Sequence, residues 1–301
     1  MSTRDWLRAL PNGKLVSALG FGCSSIWAKP FFSEDLASRI LAAAVEEGIN
    51  HFDTGASYAV GNGERRLGHF LRDRDPTRFV LATKVGTNNL DGQIVRGFSV
   101  DLMQRSFDQS MARLGLEYVD ILYLHGPTPD ALNDDVFRFF ERLKAEGRIG
   151  YSGVNSFDLP VLDAVVDTPI DAVMLQYNVS DLSAAKAIDR LDAGGKLVMS
   201  GTALGRAKFT PGAFWPRDRA HLWYLLRILR HEPSALWRGP LLRRRLKATG
   251  KPPATAAIQF VIDHPKIVSN LFGTSSLDHM LKNARAGHGH LGAEQWARLA
   301  S

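Results

Sequence analysis

Apolar residues along the chain follow two alternating patterns, short continuous runs and longer stretches in which they return every third or fourth position. The short runs at 17–21, 49–54, 79–84, 119–124, 150–154, 172–176, 197–200 and 267–272 read as strands. The longer stretches read as helices. Ser33 caps one whose Leu36, Ile40, Ala44 and Val45 share a face, 63–72 forms the next, Ser99 caps a third that runs to Leu114, and 136–145 forms a fourth. Pro11-Asn12-Gly13 marks a hairpin-like opening ahead of the first strand. Eight strands, each followed by a helical stretch, match the length of a (β/α)8 barrel of the TIM type, α/β in class. A doubly wound open sheet would need fewer units plus a second domain. No linker, repeat or low-complexity stretch divides the sequence, so residues 1–301 are expected to form a single domain with a long basic insertion, about 209–251, after the seventh strand.

Composition adds limits. With 45% hydrophobic and 23% charged residues in 301, the chain has the means to bury a full core. No window reaches the run of about twenty apolar residues that a membrane-spanning helix requires. Arg4, Asp5 and Arg8 stand where a signal peptide would have its apolar region. The expectation is a cytoplasmic protein that engages no membrane. Cys23 is the only cysteine, which excludes an internal disulfide and a cysteine-based zinc site. The net charge of +6 is uneven: between 217 and 251 ten Lys or Arg face only Asp218 and Glu232, a local +8 that leaves −2 for the rest. The total therefore does not imply a nucleic-acid partner. Gly287-His288-Gly289-His290 lacks accompanying cysteines or paired carboxylates and reads as surface, so no metal is assigned.

The chemistry gathers at strand ends. In such barrels the active site lies at the C-terminal ends of the strands, where Asp53, Lys84 and His125 close the second, third and fourth runs. Tyr58 follows in the loop after Asp53. Three titratable residues at neighbouring ends, where Val, Ile or Leu would serve packing, point to a proton-donating cluster. A phenol with a pKa of about 10 is a poor acid near neutral pH unless a positive charge favours its ionised form. Lys84 is expected to supply that charge, with Asp53 holding Lys84 protonated. His125 is placed to hydrogen-bond a substrate oxygen or assist proton transfer.

The strings 51–58 (HFDTGASY), 82–86 (ATKVG) and 113–125 (RLGLEYVDILYLH) resemble the aldo-keto reductase superfamily. The likeness continues through 150–157 (GYSGVNSF), 175–178 (LQYN) and 271–276 (LFGTSS), with Asn283 beyond. The resemblance implies a catalytic tetrad of Asp53, Tyr58, Lys84 and His125. It also implies NADP(H), or alternatively NAD(H), bound without the Rossmann glycine motif. Asn155, Ser156 and Gln176 would meet the nicotinamide carboxamide, and Asn283 the adenine. Leu204 and Arg206 would lie along the dinucleotide. Gly273, Thr274, Ser275 and Ser276 open a helix whose backbone amides favour a phosphate.

Some positions depart from the family pattern. Asn155-Ser156 reverses the usual Ser-Asn, and Gly201 stands where many members place an aromatic ring under the nicotinamide. Gly273 and His279 replace the usual Lys and Arg of 2′-phosphate binders, leaving Arg206 as the substitute. Trp215 or Trp223 is the candidate for the missing ring, and Trp237 falls in the same basic segment, read either as a lid or as a solvated hairpin. The leading expectation is an NAD(P)H-dependent enzyme that reversibly reduces a small aldehyde or ketone to an alcohol. The alternatives are an enzyme that uses nicotinamide transiently for elimination or epimerisation, and a non-catalytic cofactor-sensing subunit. Physiological substrate and oligomeric state are not legible.

Overall fold

The computed structural model describes residues 5–205, 209, 222, 225–226, 230 and 235–300. The chain opens with an antiparallel hairpin, β1 (Leu7–Ala9) and β2 (Leu15–Ser17), turning at Pro11-Asn12-Gly13. The expected strand 17–21 is in fact divided: Ser17 ends the hairpin, and β3 (Leu19–Gly22) enters the barrel. After a short α1 (Ser25–Ala28), Ser33 caps α2 (Glu34–Glu46) by accepting from the Leu36 amide. Next come β4 (His51–Asp53), α3 (Asn62–Leu71) and β5 (Val80–Val85).

An unexpected hairpin, β6 (Thr87–Leu90) and β7 (Gln93–Arg96), precedes α4 (Val100–Leu114). Ser99 occupies the N-cap position of α4, although its side chain makes no capping bond. The alternation continues through β8 (Val119–His125), α5 (Asp134–Ala145), β9 (Ile149–Asn155), α6 (Leu159–Val165), β10 (Ala172–Gln176), α7 (Ala185–Ala193) and β11 (Leu197–Gly201). Beyond β11 lie α8 (Ala235–Lys247) and α9 (Pro253–Ile262), then β12 (Ile267–Phe272), α10 (Leu277–Ala286) and α11 (Ala293–Ala300). The lid reading of 209–251 falls largely outside the described residues, as do Arg206, Trp215, Trp223 and the side chain of Trp237.

Eight parallel strands close in the order β3-β4-β5-β8-β9-β10-β11-β12 and back to β3, which is the expected (β/α)8 barrel. Successive side chains of a strand point to opposite faces, and this parity sorts the core into two layers. Phe52, Leu122 and Leu124 face outward to the helices, in one cluster with Ile40, Leu67 and Phe107. Val80, Ala82, Ile121, Tyr123 and Met174 fill the lumen, joined from below by Leu10 and Val16 of the opening hairpin. The same parity carries Asp53, Lys84 and His125 to the inner face at the upper rim. No helix among the described residues is long and apolar enough to cross a membrane.

Candidate active site

Register fixes where the strand-end residues meet. Asp53 pairs with Ala82 and Lys84 with Tyr123, while His125 lies opposite Asn155. Lys84 is 1% exposed, so its charge requires partners. It has three: Nζ donates to Asp53 Oδ1 at 2.6 Å, to Asp53 Oδ2 at 2.5 Å and to the Thr54 carbonyl at 2.6 Å. Burial works against the ammonium, but Asp53 and then Tyr58 outweigh it and raise the pKa above the ordinary lysine value. Burial pushes Asp53 up as well, against the pull of Lys84.

The turn after β4 delivers Tyr58. Its carbonyl accepts from the Gly63 amide and its amide donates to Gly55, so the residue sits in a compact loop leading into α3. Glycine is needed at 63 because a Cβ there would come within 2.7 Å of the Cys23 carbonyl. Ala59 and Val60 hold φ of 51° and 57°, a left-handed conformation that costs a β-branched residue most. Lys84 Nζ stands 4.9 Å from the centre of the Tyr58 ring, and the ring meets His125 edge to face at 5.7 Å. The expected lowering of the phenol pKa is corrected here. Burial raises Tyr58 above 10 and outweighs the neighbouring ammonium, with Asp53 adding to the rise.

His125 is equally distinctive. Burial, then Lys84 and Arg96, bring its pKa down to about 3, so the imidazole is neutral at ordinary pH. Its Nδ1 is buried with no hydrogen-bond partner among the described residues. Arg96 reaches this edge from β7, where its Nη2 donates to the Gly126 carbonyl at 2.5 Å.

Amides of the proposed cofactor set line the next strand ends. Asn155 donates through Nδ2 to the Met174 carbonyl at 3.3 Å, and the Ser156 hydroxyl accepts from the Asp158 amide at 3.2 Å. Gln176 ends β10 opposite Gly201 and donates through Nε2 to Asp181 at 2.6 Å. Leu204 is half-buried in the turn after β11. Gly273 leads from β12 into a loop where the Ser276 amide donates to Thr274 Oγ1, and Ser276 then caps α10 through the His279 amide; Ser275 lies between them. Asn283 lies on the buried face of α10. A polar donor and acceptor set along β9 and β10, with a capped helix start beyond β12, fits the carboxamide and phosphate ends of a dinucleotide.

Two residues at this rim escaped the sequence reading. Phe157 is 52% exposed, and its ring atoms lie 3.7 and 3.9 Å from where a Cβ on Gly201 would be. The place of the absent ring is thus bordered by an aromatic from the loop after β9. The only sequence signal is its position directly after Asn155-Ser156. Asp181 is the other, a loop acid with no pattern to mark it. Cys23 is buried beside the Asp53 carbonyl, to which its amide donates at 2.7 Å. His288 packs on Trp6 with ring centres 4.1 Å apart, and His290 Nδ1 lies 2.6 Å from Asp263. Among the described residues no group of His, Cys, Asp and Glu is arranged to hold a metal ion.

The family model described as Aldo/keto reductase family matches residues 18–301. The L-galactose dehydrogenase of Arabidopsis thaliana is 29% identical over 301 residues, covering 94% of this chain and 88% of the relative. A D-threo-aldose 1-dehydrogenase of Pseudomonas sp is 27% identical over 323 residues, covering 97% and 95%. An aldo-keto reductase of Bacillus halodurans in its holo form superposes with a TM-score of 0.82 at 27% identity, over 98% of this chain and 95% of that one.

Proposed function

The chain belongs to the aldo/keto reductase family, and from that premise we propose that it is an NAD(P)H-dependent oxidoreductase interconverting an aldehyde or ketone with its alcohol. Residues 1–301 act in this reading as one barrel domain. NADP(H) is the first cofactor to test and NAD(H) the second. The observation that carries the reading is the contact of Tyr58 with both a buried, ion-paired Lys84 and a neutral His125. When bound, the dinucleotide supplies or accepts a hydride. The protein's part is proton management and positioning.

Tyr58 keeps its proton at neutral pH and delivers it to the carbonyl oxygen as negative charge develops there. Lys84, held positive by Asp53, stabilises the phenolate left behind. His125, neutral at working pH, orients the same oxygen by donating a ring N–H to it. Asn155, Ser156 and Gln176 would hold the carboxamide end of the dinucleotide. The Gly273–Ser276 loop and Asn283 would take the phosphate and adenine ends. The two aldose-oxidising relatives make sugars the first substrate class to try.

Replacement of Tyr58 by Phe tests the assignment. Carbonyl reduction should fall by about two to four orders of magnitude while dinucleotide affinity stays within about twofold. The assay follows nicotinamide absorbance and identifies the product over a panel of carbonyls and aldoses. Turnover near wild type would remove Tyr58 as proton donor.

A further inference from the structure

Gln176 is committed at one end of its side chain only. Its Nε2 donates to Asp181 Oδ2 at 2.6 Å, while its Oε1 has no hydrogen-bond partner among the described residues. Asp181 is itself fixed. Its other carboxylate oxygen accepts from the Ser183 amide at 3.0 Å and the Ser183 hydroxyl at 2.6 Å. Its main chain exchanges hydrogen bonds with Asn178 in both directions, at 3.1 and 2.9 Å. The carboxylate therefore belongs to a closed turn, not to a mobile side chain.

A carboxylate only accepts, whereas a primary amide donates at one end and accepts at the other. The Asp181 contact permits just one of the two ways round for the Gln176 amide. Granted the nicotinamide reading of the site on which it rests, the geometry points to Asp181 as a positioning residue for cofactor choice. It turns the Gln176 amide so that the open end is an acceptor. The rim then selects a pyridine ring whose substituent donates an N–H, such as the carboxamide of nicotinamide, over one whose substituent only accepts. An amide free to rotate would take either ring, by offering its oxygen to one and its NH2 to the other. Selection arises because the wrong ring leaves the Gln176 acceptor without a donor, facing a methyl group or another acceptor.

Binding alone tests this, without turnover. NADP+, or NAD+ if it binds more tightly, is compared with its 3-acetylpyridine analogue, in which a methyl group replaces the carboxamide NH2. Each is titrated into wild type, Asp181→Asn and Gln176→Met by quenching of tryptophan fluorescence. Wild type should prefer the carboxamide form by about tenfold, the usual scale for leaving an acceptor covered by the bound ring without a donor. In Asp181→Asn the preference should shrink to about threefold or less, because asparagine holds either end of the glutamine amide. Affinity for the acetyl analogue should rise as that for the natural cofactor falls, a crossed change that general loosening of the site would not produce. Gln176→Met leaves the 178–183 turn intact and should bring the two affinities together even if Asp181→Asn folds poorly by circular dichroism. A wild-type ratio retained in either variant overturns the role of Asp181. Failure of wild type to bind any of the dinucleotides overturns the cofactor reading, and Asp181's role falls with it.

Discussion

Two rim side chains, Tyr58 and His125, have titrations displaced in opposite directions, and this shapes the expected pH behaviour. His125 takes up a proton only at about pH 3, because burial and the charges of Lys84 and Arg96 disfavour the imidazolium. Tyr58 keeps its proton beyond its usual range because burial disfavours the phenolate. Both groups therefore hold the form needed for reduction from mildly acidic to mildly alkaline pH. With cofactor and carbonyl saturating, kcat for reduction should be level between about pH 5 and 9. Oxidation of the alcohol needs Tyr58 without its proton and should accelerate throughout that range. A break in reduction near pH 6.5 would show that His125 titrates in the working site. Phe157 offers a second test at this scale. If its exposed ring beside Gly201 supports the nicotinamide, Phe157→Ala should weaken dinucleotide binding by about 2- to 10-fold, the range of an aromatic pair. Unchanged affinity would leave Phe157 as a surface residue.

Among the elements, α3 decides where the Tyr58 loop can sit. Glu64 in its first turn is fully buried and bonds the hydroxyl of Thr83, the neighbour of Lys84 on β5, at 2.5 Å. Its second oxygen accepts from Arg113 Nε of α4 at 2.7 Å. One carboxylate thus ties the helix behind Tyr58 to the strand that carries Lys84. Losing one partner of a buried ion pair costs about 3–5 kcal/mol, and the partial exposure of Arg113 places Glu64→Ala near the low end, about 3 kcal/mol. Urea unfolding measures this, and a loss below about 1 kcal/mol would show that the loop is held by packing alone. Glu64 could not be singled out in the sequence, because a glutamate in a helical stretch looks the same whether it faces solvent or a threonine on a neighbouring strand. Asp53, Lys84 and His125 were legible because each ends an apolar run, and strand parity then fixes their direction. The β6–β7 hairpin was missed for the converse reason. β6 is polar except for Leu90 and β7 is exposed throughout, so no hydrophobic alternation marks them, although Asp91-Gly92 with φ of 52° and 85° is the turn pair such hairpins favour. The split at Ala18 was hidden because one apolar run serves two sheets.

At the scale of the whole molecule, closure of the barrel places two neutral histidines inside, and acid should work against both. His51 on β4 lies 2.9 Å from the Ser269 hydroxyl of β12, and that hydroxyl gives its proton to the Ser17 carbonyl at 2.7 Å. Ser269 must then accept from His51, so Nδ1 carries the hydrogen and Nε2 is the bare nitrogen. Nε2 is buried without a partner. Protonating it would place an unpaired donor and a full charge in the lumen wall, where burial and Lys84 hold the pKa near 3. In the unfolded chain both histidines titrate at about 6.5. Between those values the unfolded state binds more protons than the folded one, so stability is fully present above about pH 6.5 and declines as pH falls toward 3. The limiting slope is about 1.4 kcal/mol per pH unit for each histidine, His51 and His125 together giving twice that. Carboxylates whose pKa is lowered on folding, such as Asp189, lose their contribution only at lower pH, below the carboxylate range of the unfolded chain. Urea unfolding at steps from pH 7.5 to 5 should therefore show a steady loss that begins near 6.5. His51→Asn should be less stable at pH 7.5, having lost its bond to Ser269, and yet show about half the wild-type slope. Stability that is level down to pH 5 would mean that the lumen accommodates imidazolium, and the neutral His125 on which substrate orientation depends would have to be abandoned.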